Sequence, residues 1–168
     1  IDRVYVSKDP EHHHYWFPRT GGTIFFYINT AKAPFNEVNV RKAVSLAINR
    51  DLIIKVAMYG YTIPAHPTAL ADGLASWRSK SATEKGDWVA HDMERANRLL
   101  DKAGYSRGED GFRRLSDGKV MSFEISIVSG WSDWIRAAQV ISKNLETVGI
   151  KARVKTNDFA AWFSRVQK

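Results

Sequence analysis

The chain has 168 residues, 44% of them hydrophobic and 26% charged, with no cysteine and a formal charge of +7. That length can bury a core without cross-links, and the composition is that of a globular domain rather than a disordered one. No apolar run approaches the roughly 20 residues of a membrane-spanning helix, and the absence of cysteine removes disulfides and thiolate chemistry. The lysines and arginines are scattered, and the aromatic residues fall mostly at core spacings, so no nucleic-acid partner is expected despite the basic balance.

Residues 1–22 are polar and broken by Pro10, Pro18 and the Gly21-Gly22 pair, which predicts an irregular segment. His12, His13 and His14 are adjacent, and adjacent side chains point in different directions, so a solvated loop is expected rather than a metal site. "TIFFYINT" (23–30) carries apolar residues on both alternating faces, the pattern of a strand buried on both sides. In "PFNEVNVRKAVSLAINRD" (34–51), Val40, Ala43, Val44, Ala47 and Ile48 recur at three and four and predict a helix with one buried stripe. Glu37 stands four residues before Arg41, the favourable order for an ion pair. Asp51 is the expected cap of a second helix, "LIIKVAMY", closed by Gly60.

Residues 61–90 read as a long loop carrying Trp77 and Trp88, and long loops in compact domains tend to be functional. "HDMERANRLLDKAGY" (91–105) is the clearest helix, capped by Asp92, ended by Gly104, with Met93, Ala96, Leu99, Leu100 and Ala103 on its apolar face. Asp117-Gly118 predicts a hairpin turn between two strands, the second placing Phe123, Ile125 and Ile127 on one face. The loop "SGWSDW" leads into a long helix with Trp134, Ala138, Ile141, Leu145 and Val148 on its buried side and Gly149 at its end. "IKARVK" alternates as a half-buried strand, and Phe159, Trp162, Phe163 and Val166 share one face of a last helix. The sum is an α/β domain with a mixed sheet and covering helices. The chain opens without a leader pattern and stops inside a helical pattern, so it reads as a piece of a longer protein.

Four segments in order carry a resemblance. They are Asn29-Thr30, Pro34-Phe35, Val40-Arg41, Ala43 and Ala47-Ile48-Asn49-Arg50; then "DMERANRLLDKAGY", "DGKVMSFEI" and "ISKNLETVGIKARV". Together they resemble the family 5 extracellular solute-binding proteins, the dipeptide, oligopeptide and nickel receptors of bacterial ABC importers. The resemblance implies one lobe of a two-lobed, periplasmic-binding-protein-like (type II) fold. Residues 23–168 would be the second, ligand-binding lobe, and residues 1–22 a segment near the hinge. It also implies a non-enzymatic receptor that passes its ligand to a membrane permease, works in the periplasm or outside the cell, is tethered to the membrane and needs no cofactor. Arg41 and Arg50 would be structural.

Four residues are candidate ligand contacts. Trp131 has no helical or strand reason to be apolar, which favours exposure in a cleft. Asp133, in the same loop, either caps the following helix or holds the amino end of a peptide, as the resemblance implies for an acidic residue there. Trp77 lies where relatives line their cleft. Trp134 belongs to the buried helix face more than to the cleft, Trp162 reads as core and Trp88 is open. Tryptophan faces stack on sugar rings as well as on peptide side chains, so the expected ligand is a peptide first, by a narrow margin over an oligosaccharide. No nucleophile-elbow, zincin, Walker or dinucleotide motif is present. A hydrolase with paired carboxylates, which leave no sequence signature, is the rival enzymatic reading.

Overall fold

The computed structural model describes residues 2–14 and 22–167, and six α-helices and two β-strands lie among them. Helix α1 (Val38–Ala47) buries Val40, Ala43, Val44, Leu46 and Ala47, the stripe its periodicity dictates plus Leu46. The expected ion pair before it is replaced by other bonds. Arg41 Nη1 donates to the carbonyls of Phe35 and Asn36 at 2.7 and 2.9 Å, while Glu37 accepts from the Tyr105 hydroxyl. The chain entering the helix is thereby tied down by Arg41 rather than left to a solvent-exposed ion pair. Burial, the hydrogen bond to Glu37 and the charge of that carboxylate together push the Tyr105 phenol up to about 12.

Helix α2 (Arg50–Val56) follows α1 after two intervening residues, and its cap is Asn49, not Asp51: Leu52 N–H donates to Asn49 Oδ1 at 2.8 Å. Asp51 falls inside the first turn, where its charge still suits the positive helix end. Gly60 N–H donates to Ile54 O at 3.0 Å and closes the element as expected. Arg50 folds back on α1, donating to Ser45 O and Val89 O at 3.0 Å each and to Ser45 Oγ at 2.7 Å. It is structural, held by carbonyls and a hydroxyl.

The long stretch before the next full helix is less irregular than its composition predicts. It contains a 3-10 turn at Asp72–Trp77, the short helix α3 (Lys80–Glu84) and a second 3-10 turn at Asp87–Val89. Helix α4 (Met93–Lys102) follows, with Asp92 Oδ1 accepting from Arg95 N–H at 2.8 Å. Ala96 and Leu100 are fully buried, and Leu99 and Ala103 pack at the edge of the core.

The Asp117-Gly118 turn forms, with Leu115 N–H donating to Lys119 O at 2.8 Å. Its first arm is not a continuous strand and pairs only through the antiparallel bridges Arg107↔Arg113 and Arg114↔Val120. The backbone there is drawn towards the far end of the next unit, where Arg113 N–H donates to Gly149 O at 2.7 Å.

That unit is strand, helix, strand. Strands β1 (Ser122–Val128) and β2 (Lys151–Asn157) pair in parallel from Ser122↔Lys151 to Val128↔Asn157, and helix α5 (Ser132–Thr147) connects them. Parallel neighbours require such a crossover. Ala138, Ile141 and Leu145 of α5 are buried with Ile125 and Ala152 of the sheet and with α1 and α4, in one core. Helix α6 (Phe159–Val166) follows β2. The class is α/β, as expected, with a parallel pair flanked by antiparallel bridges.

Residues 23–30 depart from expectation. They form no strand, and only Phe26 and Ile28 turn to the core, while Ile24, Phe25 and Tyr27 are exposed. A strand needs a ladder partner, and among the described residues none pairs with this segment. At the N-terminus, Asp2–Val6 makes a π-helical turn rather than irregular chain. Tyr15, Trp16 and the rest of "YWFPRTG" (15–21) lie outside the described residues.

Candidate functional site

Parallel strands end on one edge of their sheet, and in α/β folds that carboxyl edge is where ligands bind. Here β1 and β2 end in register at Val128↔Asn157. Their two exits are locked together, Ser129 N–H donating to Asn157 O at 2.7 Å and Asn157 Nδ2 to Ser126 Oγ at 3.0 Å. After β1 the chain reverses at Gly130, whose φ of +86° is open to glycine at no steric cost, and delivers Trp131 at the mouth of α5. After β2, Asp158 caps α6 by accepting from Ala161 N–H at 2.9 Å, which delivers Phe159 beside Trp131.

The result is a shelf of touching rings. Trp131 lies 5.1 Å from Trp134 in an edge-to-face contact at 75°, 6.1 Å from Trp162 and 6.3 Å from Phe159. Phe159 in turn lies 6.1 Å from Trp162 and 5.8 Å from Phe163, the last pair stacked within 12°. Trp131, Phe159 and Phe163 face solvent with 37%, 54% and 45% of their surface exposed, whereas Trp134 and Trp162 are half-buried behind them.

Of the candidate contacts, Trp131 is exposed, as its place in the sequence predicts. Trp134 is joined to it rather than sunk in the core. Trp162 is corrected from core to shelf: α6 buries no residue completely, because its apolar face lies over the strand ends, where the described residues provide no cover. Phe159 and Phe163 share that helical face, and an apolar stripe by itself does not say whether it is covered.

Asp133 sits in the first turn of α5 and is not its cap. The capping position is Trp131, which makes no side-chain cap bond. Asp133 Oδ1 accepts from Trp134 N–H at 2.9 Å, and the carboxylate enters no ion pair among the described residues. Trp77 ends its 3-10 turn 79% exposed and joins no ring pair among the described residues; Trp88 is half-buried.

His12 Nδ1 lies 2.9 Å from Asp9 Oδ1 and His13 Nδ1 3.7 Å from Asp9 Oδ2, on an exposed turn. No group of three metal-ligating side chains is placed to hold an ion among the described residues, and no described helix is long and apolar enough to cross a membrane. The shelf thus offers exposed aromatic surface, its rings mostly tilted against one another, with the Asp133 carboxylate next to Trp134 in the chain.

Comparison with known proteins gives a consistent set of relatives. The sequence model of the bacterial extracellular solute-binding proteins, family 5 Middle, matches residues 2–168. The glutathione-binding protein GsiB of Salmonella choleraesuis is 30% identical over 134 residues, which is 80% of this chain and 22% of that protein. The nickel-binding periplasmic protein of Escherichia coli is 28% identical over 127 residues, 76% of this chain and 23% of its own length. The crystal structure of a mannohexaose-bound periplasmic oligopeptide-binding protein of Thermotoga maritima superposes with a TM-score of 0.75 at 30% identity, covering 80% of this chain and 25% of that one. This chain therefore spans between 22% and 25% of the length of these relatives. The family match runs through every motif singled out above and through both strand exits, and on that ground the chain belongs to the family 5 bacterial extracellular solute-binding proteins.

Proposed function

We propose that residues 23–168 are the ligand-binding lobe of an ABC-importer receptor, with residues 1–22 beside the hinge. The receptor captures an elongated solute, a peptide or an oligosaccharide, in a cleft completed by another lobe and delivers it to a membrane permease. The observation that carries this reading is the ring shelf, where two successive strand exits present exposed aromatic faces at the carboxyl edge of a parallel sheet. Both solute classes have support among the relatives: one structural neighbour is an oligopeptide-binding protein with mannohexaose bound, and one relative binds glutathione. The receptor works in the periplasm or outside the cell, as the periplasmic relatives do, and is tethered to the membrane. It binds its solute without turning it over.

In a cleft receptor each lobe supplies part of the contact surface, and closure excludes the remaining water. Losing even about 4 kcal/mol of the gross interaction weakens affinity roughly a thousandfold. Mannohexaose and hexa-alanine titrated by calorimetry into this chain and into the full-length protein test the reading. The full-length protein should bind one of them, and the isolated chain should bind it about a thousandfold more weakly. Micromolar or tighter binding by the isolated chain would show that the site is not shared. In the full-length protein, Trp131→Ala and Trp77→Ala should each cost about 1–3 kcal/mol of binding. Trp77, which stands apart from the shelf, tests whether a second wall takes part.

A further inference from the structure

We infer that the groove between α2 and α5 docks an acidic segment of the membrane permease, an inference that rests on the receptor reading above. Leu52 and Val56 stand one turn apart on α2, which buries no residue completely and leaves these two 38% and 41% exposed. Val140 of α5 joins them in an apolar floor, edged by Arg136, Gln139 and Lys143. None of these residues belongs to the ring shelf.

Arg136 is the reason to expect a partner there. Among the described residues, Arg41, Arg50, Arg78, Arg95, Arg113 and Arg114 are the other half-buried or buried arginines, and each is held by carbonyl or carboxylate oxygens. Arg136 makes no such bond among them, and its Nε is buried without an acceptor. A buried donor left unpaired is costly, and a carboxylate suits a guanidinium best because its two oxygens match the paired N–H groups. The Tyr59 ring lies 5.1 Å from the guanidinium and helps to hold it in place. Tyr59 reaches that position from a φ of +51°, a strained conformation for a bulky residue, and such strain is kept where surroundings or function demand it.

Charge and composition select the occupant. Lys143 adds a second cation at the edge, with Glu146 2.8 Å from it, so the groove favours an acidic segment with apolar neighbours. An anionic membrane surface is bound by broad basic clusters, and a recess with two cations is not one. A permanent interface with the rest of the receptor would resemble a core cut in half. Here polar and apolar side chains share the lining, as in contacts that are made and broken. The permease is the partner that a receptor meets and leaves.

The probes are vesicles of phosphatidylethanolamine and phosphatidylglycerol, with and without the reconstituted cognate permease, and the measurement is co-sedimentation of the full-length protein. The wild type should sediment only with the permease vesicles, and less so as salt rises. Arg136→Glu and Val56→Asp should each weaken that binding about tenfold or more. Mannohexaose or hexa-alanine, whichever the wild type binds, should bind both variants unchanged in calorimetry. Val56 is partly exposed, so Val56→Asp keeps the test open if Arg136→Glu fails to fold. Permease binding indifferent to both variants, or equal binding to permease-free vesicles, would overturn the docking groove and leave the receptor reading standing. Loss of solute binding in the folded variants would assign the groove to the solute site and overturn the inference as well. A wild type that sediments with neither vesicle would overturn the inference, and one that also binds neither solute would overturn the receptor reading with it.

Discussion

Arg113 is 1% exposed and is held chiefly by carbonyl and amide oxygens. Its Nε donates to Val148 O at 2.8 Å, Nη2 to Asn97 Oδ1 at 2.8 Å, and Nη1 to Tyr105 O and to Asp101 Oδ1. One guanidinium thus gathers α4, the residues after it and the turn that ends α5. Gly149 is glycine for the same reason: its φ is +82°, and a Cβ there would lie 3.0 Å from Arg113 Cγ. Arg113→Ala strands these buried acceptors and should cost about 3–5 kcal/mol of unfolding free energy in urea titrations. Asp101 is 62% exposed at its end of the pair, so Asp101→Asn should cost under about 1 kcal/mol. Equal losses would mean that the ion pair, not the carbonyl cage, is what matters. Nothing in "GFRRL" distinguishes Arg113 from Arg114, which is partly exposed and pairs with Asp110 at 2.9 Å. Only packing decides which of the two goes inside.

Tyr105 supplies a pH dependence at the same scale. Its phenol is raised above the ordinary 10.0 to about 12 in the folded chain, so the folded state favours the protonated form. The stability this contributes is complete below about pH 10 and is lost as pH rises from there through about 12. The urea midpoint should therefore fall more steeply over that interval in the wild type than in Tyr105→Phe. Parallel pH curves for the two proteins would remove the assignment.

At the scale of elements, the caps and stripes separate what composition allows from what geometry selects. Asn49 and Asp51 both suit a helix start, and the backbone places Asn49 at the cap. Asn49→Ala should lower stability by about 0.5–2 kcal/mol, and Asp51→Ala by only a few tenths. The reverse order would restore Asp51 as the cap. Leu99 and Leu100 both fit the apolar face of α4, yet only Leu100 is fully buried, so Leu100→Ala should cost about 2–5 kcal/mol and Leu99→Ala clearly less. In α6, Phe163 is 45% exposed, so Phe163→Ser should change the stability of this chain by under about 1 kcal/mol. A core aromatic would cost about 3–5 kcal/mol when truncated, and such a loss would return α6 to the core.

At the scale of the whole molecule, the order of elements dictates the site. A parallel pair joined by one helix places both strand exits on the same edge, and tryptophan or phenylalanine just after each exit meets its counterpart there. The same view accounts for residues 23–30. Their apolar alternation is genuine, but a strand is a property of two segments, and the described residues supply one. The exposed Ile24, Phe25 and Tyr27 and the uncovered face of α6 are therefore both places where local pattern and tertiary surroundings disagree.

What the sequence by itself determined is whatever depends on neighbours a few residues away. The α1 stripe, the Asp92 cap, the Asp117-Gly118 turn and the two strands of the parallel pair all follow from local spacing, because helix and strand periods are set by the backbone, and the four ordered motifs carry the family resemblance residue by residue. Trp131 was legible too, as an apolar residue with no local reason to be buried. What only the tertiary structure decided is which faces find a partner. Periodicity gives each apolar stripe a direction but says nothing of what lies opposite, so Trp162 reads as core and Phe159 and Phe163 only as sharing its face, while the fold sets all three beside the strand exits. Arg113 was invisible for the complementary reason: its partners at residues 97, 101, 105 and 148 are assembled by the fold alone.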